Sequence, residues 1–141
     1  MRTIQHEPRY GNAVTSYLKP KKDAFVGSHR KEDKLFRAFS LFTKDTLQSI
    51  IDVRVYYPGQ TCYACVWVKS DDGWASGSDK AGGGGYDKIS ASVAYALNKM
   101  GFRFSRNFDG AGEETMCEAL YAIGVHMGYP IDNLVLIKAH G

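Results

Sequence analysis

Gly82, Gly83, Gly84 and Gly85 stand between Ser76, Ser78 and Lys80 on one side and Tyr86 and Lys88 on the other. Four successive residues without a Cβ leave a short length of main chain free to take positive φ and to let another group approach its N–H donors closely. Hydroxyls and two ammonium groups flank that bare backbone. The helix expected to follow adds free N–H groups and the positive end of its dipole, which is the chemistry of holding an anion. Arg103 and Arg106 are placed further along to assist. Together these eleven residues form a candidate binding site for a phosphate-bearing ligand, a nucleotide or a nucleic acid. The same run would also serve as a flexible flap or a structural turn.

The specific nucleotide fingerprints are missing. Gly77 and Gly82 have the spacing of a phosphate loop, yet Gly83 and Gly84 occupy the places of its Lys and Ser/Thr, and no G-x-G-x-x-G can be written through the run. Cys62 and Cys65 have the spacing of a zinc or redox pair. Residues three apart on a strand point to opposite faces, no second pair lies at ligand spacing, and a lowered thiol pKa needs a helix N-terminus. These cysteines read as small apolar side chains, and no metal or cofactor is implied.

The four histidines, His6, His29, His126 and His140, form no local pair with a carboxylate or thiol. A nucleophile made from Cys117 and His126 would require the fold to unite them. Asp109, Glu113, Glu114 and Glu118 open a helix and read as ordinary dipole partners. No catalytic residue is assigned. Tyr56, Tyr57, Tyr63, Trp67, Trp74, Tyr86, Phe102, Phe104 and Phe108, interleaved with Arg54, Arg103 and Arg106, would suit stacking on single-stranded nucleic acid, or would fill a core. Trp67 and Tyr63 lie opposite Val66 and Val68, either beneath the helices or as an exposed platform.

A chain of 141 residues fits one domain with a single core. No apolar run resembles a signal peptide or approaches the ~20 residues that cross a bilayer, so a soluble, cytoplasmic protein is expected. Three cysteines agree with a reducing compartment. The net charge of +3 is unevenly spread, with ten Lys or Arg against five Asp or Glu in residues 1–45 and eight against ten thereafter. Residues 1–33 therefore read as a basic, irregular arm able to attract phosphate or simply to aid solubility, and 34–141 as a single domain.

Within that domain, Lys34–Thr43 fits helix and strand almost equally, and the strand reading is preferred, with Leu35, Arg37, Phe39 and Leu41 on one face and Phe36, Ala38, Ser40 and Phe42 on the other. Residues 48–57 alternate Ile51, Val53 and Val55 against Asp52 and Arg54, the pattern of a strand with one wet face. After a turn at Pro58 and Gly59, residues 61–69 complete a hairpin, and 74–77 make a short third strand. A helix is expected over 87–100, capped by Asp87 and ended by Gly101. A brief strand over 102–104 precedes a second helix from Glu113, stopped by Gly128 and Pro130. The apolar run 133–139 reads as an interior strand. The result is an α+β fold, a largely antiparallel sheet of four to five strands with two helices packed on it. An exposed hairpin edge could pair with a second copy to give a homodimer.

The stretch WASGSDKAGGGGYDKISASVAYAL, with GAGEETMCEALYAIGVHMGYP and the terminal AHG, resembles small uncharacterised accessory proteins of bacteriophages and plasmids over roughly residues 56–141. The resemblance brings no catalytic residues. It implies a mobile-element protein that binds a nucleotide or nucleic acid or, alternatively, inhibits a host protein such as a defence system. An enzyme acting on a small phosphorylated substrate is the remaining expectation.

Overall fold

A computed structural model describes residues 2–6, 34–57, 62–71, 73–81, 86–102 and 112–140. They form six strands, β1 (Arg2–His6), β2 (Lys34–Thr43), β3 (Ser49–Tyr57), β4 (Cys62–Ser70), β5 (Gly73–Ala81) and β6 (Leu134–His140), and two α-helices, α1 (Tyr86–Lys99) and α2 (Glu113–His126). The strands make one sheet in the order β1-β6-β2-β3-β4-β5, with every neighbouring pair antiparallel. β2 to β5 form a meander, the two helices follow, and β6 returns to lie beside β2. The fold is α+β, and the sheet has one strand more than the four to five expected. The extra strand is Arg2–His6, read from its charges and lack of periodicity as part of an irregular arm; its main chain pairs with β6, a bond pattern that needs no side-chain pattern. Of the brief strand expected at 102–104, Phe102 is not in a strand and 103–104 lie outside the described residues, as do the rest of the arm and the turn at Pro58 and Gly59.

Alternation in the strands sends one set of side chains toward both helices. Phe39, Leu41, Ile51, Val53, Val55, Cys62, Ala64, Val66, Val68, Leu134 and Leu136 pack there against Ile89, Val93 and Leu97 of α1 and Met116, Leu120, Tyr121 and Ile123 of α2. α2 is tied to the sheet by a polar bond as well, since the Tyr121 phenol oxygen accepts the Leu136 backbone N–H at 2.8 Å. β6 lies between β1 and β2 and is buried from Leu134 to Ile137, as its unbroken apolar run implies.

Two expectations about facing are corrected. A register shift between Leu35 and Arg37 inserts a bulge in β2. Leu35 therefore packs with the residues facing away from the helices and Phe36 with the helix-side core, the reverse of simple alternation. The second correction concerns the wet face of β3: Asp52, Arg54 and Tyr56 are buried there, at 1, 7 and 5% exposure. Polar identity predicted solvent, but Asp52 is buried beside opposite charge and a hydroxyl donor. The Ser40 hydroxyl donates to Asp52, and Arg54 Nη2 lies 3.6 Å from Asp52 Oδ2.

The helix ends follow the glycine rule. Gly101 (φ 90°) and Gly128 (φ 101°) each take the left-handed conformation. Behind them the N–H of Phe102 reaches the Leu97 carbonyl, and that of Tyr129 the Gly124 carbonyl, the six-residue closure of a Schellman ending.

Candidate functional site

The expected short strand over 74–77 is in fact the nine-residue β5, because unbroken pairing with β4 from Gly73 to Ala81 outweighs the poor strand propensity of its glycines and serines. Its period of two sorts the candidate residues. Trp74, Ser76 and Ser78 stand in register with Lys69, Trp67 and Cys65, on the face turned away from the helices, and Lys80 pairs in register with Tyr63. Ser76 and Ser78 are exposed, as is Trp74 at 38%.

Gly77 belongs to the other face, directly beneath α1. A Cβ there would stand 2.8 Å from the Ala96 carbonyl oxygen and 2.8 Å from Met100 Cγ, so only glycine lets helix and strand approach this closely. That contact seats the C-terminal part of α1 on the middle of β5. Lys80 lies one residue before the end of the strand, and Lys88 is exposed in the first turn of the helix. Strand and helix thus bracket the glycine run. Gly82 to Gly85, Arg103 and Arg106 lie outside the described residues, as do the side chains of Lys80, Tyr86 and the expected cap Asp87.

The aromatic platform is not an exposed surface. Tyr56, Tyr63 and Trp67 face away from the helices and are 5, 6 and 7% exposed, with the two tyrosine rings stacked at 5.5 Å between centroids. Burial pushes the Tyr56 phenol up to about 12, against the pull of Arg54. These rings are part of the packing, and of the aromatics on that face Trp74 retains a large exposed surface.

Groups considered for catalysis are separated. Cys117 is fully buried, and burial drives its thiol well above the ordinary range, the opposite of an activated nucleophile. His126 is exposed at the far end of the same helix, about 13.5 Å along the axis at 1.5 Å per residue. Cys62 lies in the helix-side core and Cys65 packs on the other face with Tyr56, Tyr63 and Trp67, as strand geometry requires. Among the described residues no three His, Cys, Asp or Glu side chains gather as metal ligands.

One charged cluster escaped sequence reasoning. Glu113, read as a partner of the helix dipole, bridges two strands, with Oε1 3.7 Å from Arg37 Nε and Oε2 3.4 Å from Lys138 Nζ. Phe36 lies under the Arg37 guanidinium at 5.3 Å. The signal available was Arg37 and Lys138, a cation in each of two largely apolar segments, since a charge that is buried requires a counter-charge. The cluster anchors the start of α2 over β2 and β6.

Among the described residues no helix is long and apolar enough to cross a membrane. Compared with protein-family models, curated proteins and solved structures, the chain matches none.

Proposed function

We propose that this is a cytoplasmic, non-enzymatic binding protein of a mobile genetic element, which takes a phosphate-bearing ligand, a nucleotide or nucleic acid, at the β5–α1 junction. The observation that supports this most is the exposed row of Ser76 and Ser78 leading along one strand into the glycine run, with an exposed Lys88 in the helix that leaves it. Backbone N–H groups at the start of α1 supply donors that need no side chain. Lys80 and Lys88 supply charge, and Arg103 and Arg106 add to it. Fluorescence titration with a labelled single-stranded oligonucleotide and with a nucleoside triphosphate tests the reading. Saturable uptake that weakens as salt rises is expected; no uptake at low salt rejects it.

A second reading, an inhibitor that grips a host protein, is favoured by the β2–β3 turn. Leu47 is 49% exposed at φ 52°, a left-handed conformation that costs a leucine about 1–2 kcal/mol. The turn holds it rigidly: Thr43 N–H bonds the Gln48 carbonyl at 2.9 Å, Lys44 N–H bonds the Asn133 carbonyl at 2.8 Å, and Asp45 N–H bonds Asn133 Oδ1 at 3.1 Å. A strained, fixed and exposed apolar side chain is the kind of feature that protein partners use. Under this reading Leu47→Asn relieves the strain and raises the melting temperature while abolishing capture of one nuclease-resistant partner from host lysate. Unchanged capture removes it.

A further inference from the structure

We infer that β5 is a pairing edge and that its occupant is the β5 strand of a second copy of this chain, joined about a two-fold axis at Gly77. An exposed edge strand is ordinarily protected by charge, proline, a bulge or shortness. β5 has none of these over its first six residues, Gly73 to Ser78, which are uncharged and contain no proline. Its nine pairs with β4 run without a register shift, unlike the pairing of β2 with β3. At about 3.4 Å per residue this is a straight edge some 30 Å long. Gly73, Trp74, Ala75, Ser76 and Ser78 are all exposed along it. Among the described residues the opposite edge is β1, which has five residues and begins and ends on a basic residue, Arg2 and His6.

The strand is complementary to itself when reversed. Antiparallel pairing about Gly77 sets Ser76 opposite Ser78 of the second copy, Ala75 opposite Asp79 and Trp74 opposite Lys80, so no like charges meet across the junction. The helices agree with this arrangement. α1 packs across β4 and β5 together. Extending the sheet by the partner's β5 and β4 sets the two α1 helices side by side on the same face of the sheet. The paired molecule is a continuous sheet with the two Ala81 ends of β5 at opposite ends of the joined strands. Pairing belongs to the ligand-free protein and does not depend on the ligand proposed above.

Light scattering on the ligand-free full chain, with its monomer mass of 15.6 kDa, tests it. The wild-type protein is expected at about twice that mass. Ser76→Glu with Ser78→Glu sets carboxylates opposite each other at both pairs and is expected to give the monomer, with an unchanged circular dichroism spectrum because both positions are exposed. Ser76→Glu with Ser78→Lys sets opposite charges there and is expected to keep the dimer. A monomeric wild-type protein, an undiminished dimer in the double-glutamate variant, or a swapped-charge variant as monomeric as the double-glutamate one each overturns pairing about Gly77.

Discussion

Close contacts at single residues set the sharpest expectations. At Gly77 an added methyl meets the Ala96 carbonyl oxygen, main chain that cannot rotate away, whereas at Gly124 it meets the Leu41 and Leu134 methyls at 2.7 and 2.9 Å, the ends of adjustable side chains. Gly77→Ala should therefore lower stability by about 1–3 kcal/mol in urea melts, and Gly124→Ala by less, since its helix also gains from alanine. Equal losses would contradict the proposed contact of α1 with β5. Tyr56 supplies a pH test. Its phenol ionises at 10.0 when unfolded and at about 12 in the fold, so the neutral form is favoured by folding. The stability it contributes is present in full below pH 10 and is lost as pH rises from 10 toward 12. Melts across that window should show a decline that Tyr56→Phe flattens; an identical decline in the variant would place the cause elsewhere.

The elements show which parts of the chain could be understood from sequence and which could not. Period and punctuation located α2 from Glu113, both glycine helix ends, the β3–β4 hairpin and the interior β6, because local sterics and one-sided burial write those patterns directly. β5 was read as half its length: GWASGSDKA has little strand propensity, and its extent depends on β4 beside it and α1 above. The bulge at Leu35 to Arg37 exchanged two side chains between faces, which a strict alternation cannot foresee. Asp52 and Arg54, polar by type, were assigned to water because burial by mutual pairing leaves no trace in periodicity. That pairing is itself testable. Asp52→Ala leaves the buried Arg54 cation without its carboxylate and should destabilise the fold by about 3–5 kcal/mol, whereas an exposed pair would cost under about 1 kcal/mol.

For the whole molecule, two sheet faces have different roles. One carries the helices and a continuous apolar core, and the other a buried aromatic and ionic layer that gives way at β5 to exposed Trp74, Ser76 and Ser78. Much of the candidate site was legible as chemistry, in glycines, hydroxyls and lysines close in sequence. Its geometry was not, because only the β5 register shows that Ser76 and Ser78 face away from the helices while Gly77 seats α1. Trp67 and Tyr63, candidates for stacking, are instead buried in the packing, so the proposed ligand contact is confined to the margin of the sheet. The most direct measurement compares oligonucleotide binding by the wild-type chain and by Lys80→Ala/Lys88→Ala at low salt, with folding verified by circular dichroism. The variant is expected to give at least a tenfold weaker complex, about 1.4 kcal/mol, and a shallower salt dependence. Equal affinity and equal salt slope in the two proteins would contradict the proposed site.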